Sequence, residues 1–181
     1  MKKLLVILIV IFVSLSLTSC TQSERITDLT VVEAVGFDTK KDTVLASVQY
    51  LNLYSGTGQN KGVNSNITAT VFANGKSIYS ALDTIDKKLP DRLFFGQTKL
   101  IVVSEEFENK YKDELVRYLC NTRYSRADIY IVKTKKTAQS VITKAQKNTR
   151  VPADSIVKQL KKNNRAVNVN EYLGGRAAPT V

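Results

Sequence analysis

Apolar positions along this chain change period several times, and each change marks an element. The chain opens on an apolar run from Leu4 to Leu17 behind Lys2 and Lys3. That run is too short for a membrane span, which needs ~20 apolar residues. Thr30 to Phe37 and Thr43 to Tyr54 are rich in β-branched and aromatic residues and predict two strands. The charged turn between them, Thr39 to Asp42, predicts an antiparallel hairpin. Ser55 to Asn66 is a Gly/Asn/Ser loop, and Ile67 to Ala73 alternates as a third strand. After Asn74-Gly75, the residues Ile78, Ala81, Leu82, Ile85 and Leu89 recur at helical spacing until Pro90 closes the helix. Thr98 to Ser104 reads as a short buried strand. Ser104 is placed to cap a helix whose face carries Phe107, Tyr111, Leu115, Tyr118 and Leu119. Ala127 to Val132 is a fifth strand, and Thr137 to Gln146 and Ala153 to Lys162 are two further helices.

This order predicts an α+β fold: a mixed β-sheet with helices packed mainly on one face. The strand–helix–strand steps after Ile67 permit parallel pairs with right-handed crossovers. The tail from Val167 to Val181 carries Gly174-Gly175 and Pro179 and has no apolar period. The expected organisation is a leader at 1–19, a linker at 20–28, a domain at 29–165 and a tail or linker at 166–181, cut short before further domains.

The leader decides compartment. A charged start, an apolar run and small residues before a cut form a secretory signal peptide. Cys20 follows Leu17-Thr18-Ser19 directly, which resembles a bacterial lipobox. In that class the chain is cut between Ser19 and Cys20, and the thiol of Cys20 carries a diacylglycerol. The mature protein then starts at Cys20, outside the cytoplasm and tied to a membrane. Cleavage leaves about 160 residues, enough for one domain with a real core. Cys120 has no partner once Cys20 is acylated, so no disulfide is expected. Beside the apolar helix face, it reads as a small core residue.

Charge changes the picture less than its total suggests. The formal net charge is +11, yet basic and acidic residues cancel from Thr21 to Val132, with 14 of each. The excess lies between Lys133 and Arg165, where ten basic residues face Asp154 alone. An exported chain meets no genomic DNA, so no nucleic-acid partner is expected. Anionic lipid headgroups or an acidic partner surface fit the segment, and so does a plain solvated helix face.

Catalytic and metal chemistry find little footing. The chain has no histidine, which removes the commonest general base and metal ligand near neutral pH. A single thiol in the folded part cannot build a zinc site. Glu105-Glu106 and Asp113-Glu114 are adjacent pairs, which do not share a helix face, and read as surface charge. No Gly-x-Ser-x-Gly elbow or phosphate-binding loop is present. No catalytic residue, metal or cofactor is therefore assigned.

Several segments, in order, resemble the Ger(x)C spore germination lipoproteins, the C subunits of germinant receptors. After Cys20, the residues Ile26, Asp28, Leu29, Ala34, Gly36 and Asp38 fit the family's mature start without a gap. Gly75-Lys76-Ser77-Ile78 with Ala81 is similar to its Gly-x-Thr-Ile-x-x-Ala. Gly96-Gln97-Thr98-Lys99 followed by Ser104-Glu105-Glu106 is similar to its Gly-His-x-Lys strand and Gly-Glu-Glu turn. Arg123 to Val132 resembles an arginine-bearing segment leading into a strand. Thr21 stands where the family usually has Trp, and Gln97 where it often has His. The resemblance implies a lipid-anchored, non-enzymatic receptor component on the outer face of the inner spore membrane. It would act beside an A subunit and a permease-like B subunit. Family members typically carry two further domains. The other reading open to the residues is a lipid-anchored solute- or peptide-binding protein.

Overall fold

The computed structural model describes residues 29–52, 67–148 and 152–181. Ser19, Cys20, the 20–28 linker and the end of the second predicted strand lie outside them. Six strands form a mixed sheet: β1 (Leu29–Lys40), β2 (Thr43–Leu51), β3 (Thr68–Gly75), β4 (Arg92–Phe94), β5 (Leu100–Ser104) and β6 (Tyr130–Thr134). Five helices accompany them: α1 (Ile78–Asp86), α2 (Glu105–Leu119), α3 (Ala138–Asn148), α4 (Pro152–Lys162) and α5 (Val169–Leu173). The sheet order is β3-β2-β1-β5-β6.

The first three strands run antiparallel, β1 and β2 through a two-residue turn, and β5 and β6 extend the sheet from β1 in parallel. The β1–β2 turn places Lys41 and Asp42 both at positive φ, the geometry that matches the twist of a tight hairpin. Beside β1, β4 pairs with Leu29–Val31 and β5 takes over at Ala34–Phe37. Glu33 is an extra residue at the changeover, a bulge that shifts the register with β2.

The α+β class and the mixed sheet agree with the sequence pattern, but the helices cover both faces. On one face, α1, α2 and α5 pack on Val35, Phe37, Ile101 and Ile131. On the other, α3 and α4 pack on Ala34, Leu100, Val102 and Val132. Gly36 makes the second face possible: a Cβ there would stand 2.7 Å from Ile142 Cδ1 and 3.2 Å from Ala138 Cβ, so α3 sits directly on its backbone.

Two sequence expectations need correction. The segment 166–181 is not a free tail. Val167, Val169 and Ala178 are buried in the first core, α5 forms with an Asn168 capping box, and the chain bridges β6 at Tyr130–Asn168 and Lys133–Thr180. Only a few apolar residues anchor it, too few for a period to show. Cys120 is exposed rather than in the core. It is the C-cap of α2, one position past Leu119, where the chain turns outward.

Candidate functional site

The parallel pairing of β1, β5 and β6 gives out beside Asp38, Ser104 and Thr134, and α2 and α3 start there. In sheets of this kind, ligands bind outside the carboxyl ends of the strands. Here an internal carboxylate occupies part of that position. Asp38 is buried and accepts hydrogen bonds from the Ala138 and Gln139 backbone N–H groups, at 2.6 and 2.9 Å. It caps α3 from a neighbouring strand, as an anion at a helix N-terminus should. Burial raises the Asp38 carboxyl above its ordinary value, against the pull of the Gln139 and Ala138 amides and the Ser104 hydroxyl. Ser104 accepts from the Phe107 N–H at 3.3 Å, the cap expected from sequence.

Two depressions flank this end of the sheet, and Lys135 and Lys136, in the turn from β6 to α3, border both. The first is a polar cleft of about 180 Å³ containing Asp38, Glu105 and Glu106. The second is a groove of about 690 Å³ with walls from α3, α4 and the 180–181 end of the chain. Its floor includes half-buried Val141 and Ile156, and Lys144 joins the two lysines at its margin. Among the described residues that line it, no side chain is acidic.

The basic segment seen in the sequence thus divides. Lys133 points to the opposite face, 3.3 Å from Glu108, whose other oxygen accepts the Tyr172 hydroxyl at 2.7 Å. Burial, then Glu108, pushes the Tyr172 phenol above its ordinary range. Lys161 lies over the Tyr130 ring, 4.8 Å from its centre. Asp154, the lone acid of the segment, is turned away from the groove to Lys99 at 3.1 Å. Lys99 also meets the bulged Glu33 at 2.9 Å. Burial pulls the Lys99 ammonium down, and Glu33 and Asp154 together more than reverse it, holding it above the ordinary lysine value.

The other sequence-marked residues do structural work. Arg126 grips Asp128 through two hydrogen bonds of 2.9 Å and donates a third to the Gly96 carbonyl. A Cβ on Gly96 would lie 2.3 Å from the Phe94 ring. Glu114, expected as plain surface charge, accepts from the Ile78 N–H at 2.5 Å and so helps cap α1. The Glu33–Lys99–Asp154 set and the Asp38 cap were not foreseen, because each joins residues at least 55 positions apart in part of its network. The one available signal was Asp154 standing alone among ten cations. Among the described residues no group of three or more Cys, Asp or Glu side chains is placed to hold a metal ion. No helix among them is long and apolar enough to cross a membrane.

Comparison with known proteins gives this geometry a lineage. The family profile of the spore germination protein N-terminal domain matches residues 22–172, a span that takes in α5. Spore germination protein KC of Bacillus subtilis (strain 168) is 23% identical over 168 residues, which cover 88% of this chain and 40% of that protein. The chain therefore spans about two fifths of the length of this curated relative. No solved structure matches it significantly. On the match across most of its length, the chain belongs to the spore germination protein N-terminal domain family.

Proposed function

We propose that this chain is a lipid-anchored, non-enzymatic subunit of a nutrient germinant receptor, working in spore germination through protein–protein contacts at the membrane. The observation that carries the reading is the family match over residues 22–172, which starts two positions after the lipobox cysteine. Cys20 bears the diacylglycerol, after cleavage between Ser19 and Cys20. The folded domain stands on the extracytoplasmic face of the inner spore membrane, beside A- and B-type membrane subunits. Two acyl chains hold it firmly, since a single chain anchors only marginally.

The alternative reading, a lipid-anchored solute- or peptide-binding protein, draws support from the groove beside Lys135, Lys136 and Lys144. Its size falls within the range of small-molecule sites, roughly 300–1,000 Å³.

Cys20→Ala tests the leading reading. The variant should leave the membrane fraction after a high-salt wash, and spores carrying it should form normally but respond poorly to at least one nutrient. Retention on membranes would refute the anchor, and full germination with every nutrient would refute the receptor role.

A further inference from the structure

The lysine-lined groove has three properties that together specify a ligand. It is an open groove, with a volume of about 690 Å³ and walls on α3, α4 and the β6–α3 turn. Its floor is apolar, with Val141 and Ile156 half-buried there rather than protruding. Its cations are not locked in ion pairs: among the described residues, Lys135, Lys136 and Lys144 have no ion-pair partner, although Lys135 and Lys136 also border the acidic cleft. Asp154, the lone acid of the basic segment, is held by Lys99 and does not line the groove.

We propose that this groove binds a single-chain amphipathic anion, an acyl carboxylate or phosphate. Its head sits among Lys135, Lys136 and Lys144, and its chain lies along Val141 and Ile156. The three ammonium groups lining one groove set up a positive potential that salt screens over about 8 Å at physiological ionic strength. An apolar floor beside that charge favours a chain over a small inorganic ion, because only a chain gains from leaving water. The neighbouring cleft repels anions with Asp38, Glu105 and Glu106, so the charge gradient directs the head toward Lys144.

The ligand is taken as a free molecule, not as part of a bilayer. A bilayer-docking surface presents protruding apolar side chains in a convex basic rim, whereas Val141 and Ile156 are partly buried and packed against the core under α3 and α4. The inference stands apart from the anchoring and receptor proposals, since neither is needed for a groove on this domain to bind an anion.

Calorimetric titration of the purified full chain with dodecanoate and dodecyl phosphate, below their micelle thresholds, tests it. Both anions should bind with one-to-one stoichiometry, dodecanoate at least tenfold more tightly than octanoate and dodecyltrimethylammonium at least tenfold more weakly than dodecanoate. The Lys135→Ala/Lys136→Ala/Lys144→Ala variant, checked for an unchanged circular dichroism spectrum, should lose at least tenfold in affinity for both anions. Failure of both anions to bind would overturn the proposal. So would equal binding of the cation, indifference to chain length, or full affinity in the triple variant. Lysine-dependent pelleting with phosphatidylglycerol vesicles under conditions where dodecanoate does not bind would also overturn it, by assigning the lysines to a bilayer.

Discussion

The two faces of the sheet are built on different principles. The face under α1, α2 and α5 is closed by rings. Phe37 stacks on Phe107 with centres 5.5 Å apart and meets Tyr118 edge-on at 5.0 Å, while Tyr124 meets Phe95 at 5.1 Å. Large side chains there fill space and leave little for polar atoms. The face under α3 and α4 is thin and aliphatic, with Ala34, Gly36, Ala138 and Ala153 at the contact. Small residues let α3 approach, and buried polar groups come with it. Asp38, Glu33, Ser47 and Gln49 are all buried, and Ser47 Oγ and Gln49 Oε1 lack a hydrogen-bond partner among the described residues. A face that tolerates such groups gives up stability for placement of charge. The buried carboxylates Asp38 and Glu33 and the lysine groove lie on that side.

The contrast predicts where substitutions hurt. Phe37→Ala removes the ring at the centre of the aromatic face, and it should lower the free energy of unfolding by ~4 kcal/mol through lost burial and a residual cavity. Urea denaturation measures this, and a loss below ~1 kcal/mol would mean that the aromatic face does not carry the fold. On the thin face the damage is electrostatic. Lys99→Met leaves Glu33, whose side chain is 5% exposed, without its counter-charge. Breaking a buried pair costs roughly 3–5 kcal/mol, and the 38% exposure of Lys99 lowers that expectation to ~2 kcal/mol. Adding Glu33→Gln to Lys99→Met should recover more than half of the loss. A double variant no better than Lys99→Met would assign the cost to packing of the lysine stem instead.

How much of this was legible beforehand follows from what each feature depends on. The α1 and α2 faces, the Ser104 cap and the β1–β2 hairpin are local, and the periodicity of Ile78 to Ile85 and of Phe107 to Leu119 shows them directly. The short strand β4 was missed because it has only three residues, too few to alternate. Helix α5 was missed because Val169 is its sole buried residue and the tail's order comes from pairing with β6. Coverage of both sheet faces was misjudged because the β5 run Leu100–Val103 is buried on both sides, and a continuous apolar run does not say where the helices lie. At the site, the lysine cluster was visible as composition. Its groove was not, since that depends on Asp154 turning toward Lys99.

The smallest predicted effect is the most diagnostic of the thin face. Most acids that ion-pair in a folded protein stabilise it as pH rises, and Asp128 and Glu171, held below their ordinary values by hydrogen bonds led by those from Arg126 and Asn168, belong to that class here. Asp38 has the opposite sign. Its folded-state pKa lies above the ordinary 3.8, so the folded chain holds this proton more tightly than the unfolded chain does. Its stabilising share is full below the unfolded pKa and is lost as pH rises through the folded one. Asn at this position cannot ionise, and it keeps an oxygen for one of the two α3 amides. Across the window starting at 3.8 and extending upward, Asp38→Asn should therefore gain stability relative to the natural chain as pH rises. Each unit by which the folded pKa is raised is worth ~1.4 kcal/mol in that difference. Urea titrations of both proteins from pH 3.5 to 7 measure it, with the carboxylates that do not interact with Asp38, unlike Glu106, cancelling in the comparison. A difference that moves the other way would mean that the α3 amides outweigh burial. Asp38 would then be a helix cap held at a profit, and the thin face would be less costly than its buried polar atoms imply.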